Sequence, residues 1–332
     1  MDCEAAAGSR PLEPAARLQA PSPGPGPGAG RLALAARVTA FVEATKFRSV
    51  FLLTAVGLAA GVFAWRVGLS SGAVAPGSLQ ETAARTGLVL GTLAVLLGSM
   101  GANAITGAID HRMDALMSRT RHRPVPTGRL TPGESLWFGI ALVGLALLVV
   151  LAGGYFWSAV WLLGGVLNVT LLYNGWSKTR TPWSVVLGTP GSAAPVLVVS
   201  SAVAGTALGP GAVPLAALVA AWTPIHVWSL AIRYVDDYRA AGVPMLPVAV
   251  GVRQAARCVG WASLALCAAA AVLPAALGLG PAANALVLTL QVPVLIVSLA
   301  VTFRPTAVLS WTLFKLTSPY LALVFLVVAT MG

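Results

Sequence analysis

The sequence contains few charged residues. Lysine, arginine, aspartate and glutamate make up 9% of its 332 residues, whereas a soluble domain has about 25%. This shortage excludes an ordinary cytosolic enzyme, and the hydrophobic share of 57% excludes a disordered chain. The composition therefore predicts an all-α, polytopic membrane protein, with room for roughly nine or ten spans of about 20 residues each.

Cysteine and histidine are also scarce, with three of each in the chain. The cysteines form no CxxC pair, which argues against a metal or disulfide role. Cys258 and Cys267 lie in a long apolar run and are predicted to be buried small side chains. His226 is the histidine predicted inside a span, whereas His111 and His122 are predicted to lie in a solvated loop.

Residues 1–30 differ in composition from the rest of the chain. The stretch PSPGPGPGAG is proline- and glycine-rich and unsuited to a packed core. Neither a basic segment nor an apolar core follows the first methionine, so a signal peptide is not expected. We predict a disordered N-terminal tail over 1–30 and a transmembrane domain over 31–332.

Charge-poor runs predict nine spans. Three of these runs are long enough for two helices each and are expected to divide at Gly153-Gly154, at AGTALGPGAVP and at GLGP. The predicted spans lie in residues 49–65, 87–109, 135–177 (two), 181–232 (two), 258–303 (two) and 306–331.

Basic residues follow an alternating pattern along these connections, within a net charge of +11. Connections on one side carry Arg112, Arg119, Arg121, Arg123, Arg129, Lys178, Arg180, Arg233, Arg239, Arg253, Arg257 and Arg304. Connections on the other side carry only Arg66 and Arg85. The positive-inside rule then predicts a cell (inner) membrane protein with a cytoplasmic N-terminus and an outside C-terminus. Nothing beyond net charge supports a nucleic-acid partner.

Aspartates outside the tail occur in two clusters, Asp110 with Asp114 and Asp236 with Asp237. The clusters follow predicted spans two and six, which end on the same side of the membrane. The i, i+4 spacing of the first cluster places both carboxylates on one helix face, where they repel each other. A divalent cation such as Mg²⁺, bound through a substrate phosphate, would relieve that repulsion.

Arginines surround the first cluster in the string DHRMDALMSRTRHRPVPTG. One interpretation is structural, with solvated aspartates paired to Arg112 and Arg119. The other is that guanidinium groups such as those of Arg119 and Arg123 bind phosphate. Two acidic clusters facing each other across a basic-rimmed cavity would hold a diphosphate with its Mg²⁺ ions.

Five segments resemble the UbiA superfamily of intramembrane prenyltransferases, and in particular its haem-farnesylating branch. DHRMDALMSRTRHRPVPTG is similar to the first aspartate motif, and WTPIHVWSLAIRYVDDYRAAGVPMLPV to the second. YNGWSKTRTPWSVVLG, EATKFRSVFLL and LFKLTSPYLALVFL are similar to the segment after span four and to the first and last helices. The likeness covers about residues 42–330. Thr106 stands where the family has Asn, with Asn103 nearby, and TKFR and TPIH replace TKPR and TPPH.

The resemblance implies a helical bundle around a cytoplasm-facing cavity that transfers a farnesyl group from farnesyl diphosphate to a vinyl group of haem B. The product would be haem O for haem-copper terminal oxidases, with Mg²⁺ as cofactor and the lipid bilayer as surroundings. A haem A synthase or a terminal oxidase is the implied assembly partner. Three alternatives stay open: another acceptor such as an aromatic or quinone precursor, a prenyl diphosphate cyclase, and a transporter.

The resemblance also implies roles for individual residues. Its metal ligands are Asp110, Asp114, Asp236 and Asp237, of which Asp236 is less favoured because adjacent helical residues point about 100° apart. Its catalytic residues are Asp110, Asp114, Asp237, Lys178 and His226. Its diphosphate contacts are Arg119, Arg123, Arg180, Lys46, Asn103, Thr106 and Tyr173.

Other residues near these motifs have two interpretations each. Tyr173, Trp176, Trp228 and Tyr234 either line the cavity and stabilise the prenyl cation or belong to an interfacial aromatic belt. His226 either binds a haem propionate, ligates haem iron or assists proton transfer, or it is satisfied by a backbone carbonyl. Lys315 is expected to extend toward the cytoplasmic face rather than into the cavity.

Overall fold

The computed structural model describes residues 34–332, and the predicted tail over 1–30 lies outside these described residues. Within 34–332, nine helices are long and apolar enough to cross a membrane. The prediction of an all-α bundle with about nine spans is therefore confirmed.

Helix α1 (Leu34–Ala44) precedes the spans, and short helices α6 (Ser184–Leu187), α9 (Val235–Ala240) and α10 (Leu246–Ala249) lie between them. The first five spanning elements are α2 (Phe47–Ser70), α3 (Leu79–Leu116), α4 (Pro132–Ala152), α5 (Phe156–Leu167) with its π-helical continuation Asn168–Ser177, and α7 (Thr189–Ala204). The last four are α8 (Ala212–Arg233), α11 (Val252–Ala276), α12 (Pro281–Phe303) and α13 (Ala307–Met331).

The three predicted divisions between paired spans all occur where glycine was expected to break the helix. Gly154, Gly205 and Gly278 each adopt a positive φ just after a helix ends, a conformation that glycine reaches without steric cost. Helix α3 is longer than its predicted span over 87–109, because Ser78 caps it by accepting a hydrogen bond from the Glu81 amide. Its extension at the other end carries the first aspartate cluster.

The spanning helices pack as two groups that meet along two seams. One group contains α2, α3, α4, α5 and α7, and the other contains α8, α11, α12 and α13. Contacts of α7 with α8 and of α2 with α13 join the groups. The largest hydrophobic core cluster extends through α8, α11, α12 and α13 and reaches α2 through Val56 and Phe63.

Helices α3 and α4 approach each other closely at a glycine pair. A Cβ atom on Gly101 would lie 2.6 Å from the Gly139 carbonyl oxygen, and one on Gly139 would lie 2.6 Å from the Gly101 carbonyl oxygen. Small residues allow such backbone contact between membrane helices. The buried Ser135 hydroxyl also donates to the Ala104 carbonyl at 2.8 Å. Together these contacts fix α3 against α4 in the turns that precede the aspartates.

Candidate active site

The first aspartate cluster is buried at the end of α3. Asp110 and Asp114 are each 4% exposed. Asp110 Oδ2 accepts a hydrogen bond from Lys178 Nζ at 2.5 Å, and Asp114 Oδ2 accepts one from Arg123 Nη1 at 2.8 Å. These ion pairs satisfy one oxygen of each carboxylate, while Asp110 Oδ1 is buried with no hydrogen-bond partner in the described part of the chain.

The structural interpretation of this cluster was wrong in two respects. The aspartates are buried rather than solvated, and their partners are Lys178 and Arg123 rather than Arg112 and Arg119. The long extension of α3 explains the difference, because it keeps both carboxylates on the inner face of the helix while Arg112 is exposed.

Lys178 follows directly after a π-helical segment that packs against α3, and from there it reaches Asp110. The segment Asn168–Ser177 follows directly from α5, and such π-helical insertions are frequent at functional sites. Lys178 Nζ also donates to Asn174 Oδ1 at 3.3 Å. Burial lowers the pKa of Lys178, but the Asp110 carboxylate and Tyr173 more than offset it, so the pKa is raised and the side chain is a cation.

Lys46 lies in the turn between α1 and α2 and points toward the same carboxylates. It adopts φ 52° and is the one non-glycine residue with a positive φ in the described chain, a conformation that often marks functional strain. Its Nζ donates to Thr106 Oγ1 at 3.4 Å. Burial and the Arg123 guanidinium lower the pKa of Lys46 to about 7, although Asp110 and Asp114 act in the opposite direction.

A cavity of about 900 Å³ opens beside this cluster, between α1, the start of α2 and the α3–α4 connection. Its ionisable lining residues are Glu43, Lys46, Asp114, His122, Arg123 and Arg129. Two predicted diphosphate contacts, Lys46 and Arg123, therefore line the same cavity as one predicted metal ligand, Asp114.

Helix α1 closes one side of that cavity. Glu43 accepts a hydrogen bond from Arg129 Nη2 at 2.5 Å, and Glu134 accepts one from Arg37 Nη2 at 2.6 Å. The hydrogen bond from Arg129 holds the pKa of the Glu43 carboxyl below its usual range. The Phe41 and Phe138 rings also pack at 4.8 Å. These contacts, absent from the sequence predictions, fix the N-terminal helix over the α3–α4 connection.

The second aspartate cluster separates its two members. Asp236 has an 88% exposed side chain and pairs with Arg239 at 2.5 Å. Asp237 turns toward the α3–α4 connection, where its two oxygens accept from Ser118 Oγ at 2.9 Å and one of them from the Arg119 amide at 3.1 Å. The predicted divergence of adjacent helical residues explains this difference.

The α3–α4 connection joins the two clusters. Thr120 Oγ1 donates to the Asp114 carbonyl at 3.1 Å, while Ser118 and Arg119 bind Asp237. The Arg119 guanidinium lies 5.6 Å from the Tyr234 ring. One short turn thus links both halves of the bundle. Ser118 and Thr120 were not predicted as site residues, because an isolated serine or threonine carries no recognisable sequence pattern.

Two predicted site residues, Asn103 and Arg180, use their polar atoms away from the acidic groups. Asn103 donates its amide to the Ser99 carbonyl and lines a separate apolar crevice of about 110 Å³. Arg180 is exposed and donates to the Trp176 carbonyl. A third, Tyr173, lies half-buried on the π-helical segment, packs against the large core cluster and is close enough to Lys178 to help raise that residue's pKa. Lys315 is exposed, with Nζ 5.0 Å from the Trp311 ring, as expected for a side chain that points out of the bundle.

The histidines occupy three different settings. His226 is packed between the Trp222 and Phe314 rings, with centroids at 4.4 and 4.3 Å. His122 is exposed in the α3–α4 connection, as predicted. His111 was expected in a loop but lies in α3, with Nδ1 2.7 Å from the Ala108 carbonyl oxygen.

The acidic residues fit a metal that arrives with its own phosphate oxygens. Within residues 34–332, no three histidine, cysteine or acidic side chains come together to hold a metal by themselves. Asp110 Oδ1, however, is a buried carboxylate oxygen that lacks a partner. Mg²⁺ is commonly bound by one or two carboxylates together with substrate phosphates, so the donor set suits a metal–diphosphate complex rather than a resident metal.

Sequence comparison places the chain among known proteins. The UbiA prenyltransferase family model matches residues 64–318. A protoheme IX farnesyltransferase of Thermoplasma acidophilum is 37% identical over 243 residues, which are 73% of this chain and 83% of that protein. Another from Desulforudis audaxviator is 37% identical over 293 residues, with 86% of each chain covered.

Comparison with solved structures agrees on the fold. A digeranylgeranylglyceryl phosphate synthase structure has a TM-score of 0.67 at 14% identity and covers 89% of this chain and 98% of its own. A UbiA homologue from Archaeoglobus fulgidus, bound to DMAPP and Mg²⁺, has a TM-score of 0.59 at 17% identity and covers 87% and 99%. Together with the family match, these findings show that the chain belongs to the UbiA prenyltransferase family and is an integral membrane prenyltransferase.

Proposed function

We propose that this enzyme transfers a farnesyl group from farnesyl diphosphate to a vinyl group of haem B and so forms haem O. The observation that carries the chemistry is the buried pair Asp110 and Asp114, each matched to a cation, beside a large basic-rimmed cavity. The acceptor rests on the farnesyltransferase relatives, which are 33–41% identical to this chain. The resemblance of the second aspartate motif to the haem-farnesylating branch supports the same acceptor.

The diphosphate would bind at the cavity beside Asp114. Arg123 and Lys46 line this cavity, and Arg119 stands on the connection that joins the clusters. Guanidinium groups bind phosphate oxygens in a bidentate manner. Mg²⁺ held by Asp110, Asp114 and Asp237 would supply charge stabilisation on the departing diphosphate.

The protein's residues then favour cleavage of the allylic C–O bond. The bond's electron pair leaves with the diphosphate, whose growing charge is met by Lys46, Arg119 and Arg123. The vinyl π electrons form the new bond to farnesyl C1. Water adds to the resulting carbocation next to the porphyrin and loses a proton, which gives a hydroxyethylfarnesyl side chain and free diphosphate.

Lys178 would act as a positioning residue in this scheme. It occupies one oxygen of Asp110 and holds the carboxylate with its second oxygen free. Asn174 in turn fixes the ammonium group. This arrangement preorganises a ligand atom, which is the usual route to strong electrostatic catalysis.

We infer that the aspartate end of the bundle faces the cytoplasm in a cell (inner) membrane. The basic connections gather at this end, as the positive-inside rule requires. The two arginines of the opposite end are partnered: Arg66 donates to the Ala329 and Thr330 carbonyls, and Arg85 pairs with Glu81. A haem A synthase or terminal oxidase remains the predicted assembly partner.

Incubation of the purified protein in detergent with haem B, farnesyl diphosphate and Mg²⁺ tests this function. The mass of the haem should rise by one farnesyl group plus one hydroxyl group, and EDTA should abolish the change. A parallel incubation should replace haem B with an aromatic quinone precursor. Unchanged haem together with a prenylated aromatic product would overturn the haem assignment.

A further inference from the structure

A stack of aromatic rings connects α8 with α13. His226 lies between Trp222 and Phe314, and the Phe314 ring stacks on Trp311 at 5.1 Å with 14° between the planes. Tyr234 meets the edge of Trp311 at 6.1 Å. Rings that cover both faces of the imidazole fix its plane and leave only its edge for a ligand.

The hydrogen bonds of Thr317 favour one tautomer of His226. Thr317 Oγ1 lies 2.9 Å from the Phe314 carbonyl oxygen and 2.9 Å from His226 Nδ1. When the hydroxyl donates to the carbonyl of its own helix, Oγ1 accepts from a protonated Nδ1. The ring is then neutral, with a proton on Nδ1 and a lone pair on Nε2.

This tautomer narrows what His226 can bind. In this tautomer the lone pair on Nε2 repels a carboxylate, which favours iron ligation over the predicted contact with a haem propionate. The same arrangement, with Nδ1–H donating to an oxygen, is how proteins orient histidines that ligate a metal through Nε2. Thr317 occupies the Nδ1 side of the ring, so Nε2 is the nitrogen left for a ligand.

A role as proton acceptor fits less well. An imidazolium at this position would be buried between Trp222 and Phe314, and the described chain places no carboxylate in an ion pair with it. A buried charge without a counterion is costly. Ligation of a metal by the neutral ring carries no such cost.

The stack also leads toward the proposed diphosphate site. Arg119 lies over the face of Tyr234, and the Arg119 amide binds Asp237. Tyr234 contacts Trp311, and Trp311 contacts Phe314 beside His226. A planar acceptor anchored at His226 would therefore lie along an aromatic wall that ends at the second aspartate cluster.

We propose that His226 Nε2 ligates the iron of the porphyrin acceptor and that Thr317 is the positioning residue that sets its tautomer. This inference rests on the proposed haem-farnesylating function and adds the residue that holds the acceptor. It also makes iron a binding determinant, so a porphyrin without iron should bind more weakly than haem B.

Optical and electron paramagnetic resonance spectra of haem B bound to the full-length protein test the assignment. The wild type should show histidine-ligated iron, and His226→Gln should lose that signature and bind haem B at least about 10-fold more weakly. The chain has only two other histidines, so His111→Gln and His122→Gln are matched controls that should keep the signature. Thr317→Val should weaken ligation without removing it.

Metal-free protoporphyrin IX provides a check on folding. Its affinity should be the same for the wild type and His226→Gln, because neither complex contains an iron bond. A His226→Gln variant that keeps the histidine signature overturns the ligation while leaving haem farnesylation intact. Wild-type protein that forms no farnesylated haem in the product assay, which needs no spectrum, would remove the proposed function and this inference together.

Discussion

The two aspartate clusters lie at one end of the bundle but in different environments. Asp110 and Asp114 are buried and each is paired with a cation from another segment. In the second cluster, Asp236 faces outward with Arg239, and Asp237 binds a hydroxyl and a backbone amide. The difference indicates that the first cluster supplies buried, preorganised charge, whereas Asp237 in the second cluster also attaches the connection that carries Ser118 and Arg119.

Burial determines how strongly each carboxylate interacts with neighbouring charges. A charge pair in a buried site interacts strongly, whereas an exposed pair is screened by water. The first cluster should therefore control turnover and stability, Asp237 should have an intermediate effect, and Asp236 a small one. Four experiments, taken in decreasing order of expected effect, test this ranking.

Replacement of the first aspartate should have the largest effect on activity. Asp110→Asn removes the carboxylate oxygen that has no partner and should lower diphosphate release by on the order of 10²–10³-fold. Asp236→Asn makes the same chemical change at the exposed position and should lower it by less than about 2-fold. Equal losses in the two variants would contradict the distinction between the clusters.

Removal of the buried cation should have the next largest effect. Lys178→Met leaves Asp110 buried without its partner and should lower the free energy of unfolding by about 3 kcal/mol. Arg239→Met removes the exposed partner of Asp236 and should change it by less than about 0.5 kcal/mol. Thermal unfolding of both variants in the same detergent measures the difference.

Loss of a hydroxyl on the connection should have a moderate effect. Ser118→Ala removes a hydrogen bond to the Asp237 carboxylate and should lower turnover by about 10-fold. Ser70→Ala, whose hydroxyl bonds only to the Val67 carbonyl of its own helix, is the control and should leave turnover unchanged. An unaffected Ser118→Ala enzyme would show that the connection does not need this attachment.

Deprotonation of Lys46 should have the smallest effect, a pH-dependent loss of affinity for the diphosphate. Because the pKa of Lys46 is lowered to about 7, its amine is charged below that pH and neutral above it. Affinity for farnesyl diphosphate should therefore fall several-fold more in the wild type than in Lys46→Arg between about pH 6 and about pH 8, since arginine stays charged. The ligand's own titration is common to both proteins, so identical profiles would remove Lys46 from the diphosphate site.

Much of the fold could be predicted because it depends on local features. The lengths of the apolar runs predicted the nine spans, and the glycine-rich breaks predicted where the paired spans divide. Helix α1 and the π-helical segment Asn168–Ser177 were not predicted, because neither differs from its surroundings in composition. The end of α3 was underestimated because its aspartates made the sequence look like a loop.

The site could be predicted only in part. The i, i+4 spacing correctly placed Asp110 and Asp114 on one helix face. The partner of Asp110 could not be derived, because Lys178 lies 68 residues away along the chain and reaches it through tertiary packing of α5 against α3. The contact between Asp237 and Ser118 likewise joins the two halves of the bundle and has no local signal.

Cleavage of farnesyl diphosphate at the first cluster should be coupled to haem alkylation. Counting released diphosphate and farnesylated haem in the same incubation measures this coupling, with Asp110→Asn as the inactive control. The wild type should give equal amounts of the two products, and the variant should give neither. Diphosphate release by the wild type without an equal amount of farnesylated haem would show that cleavage is not coupled to haem alkylation.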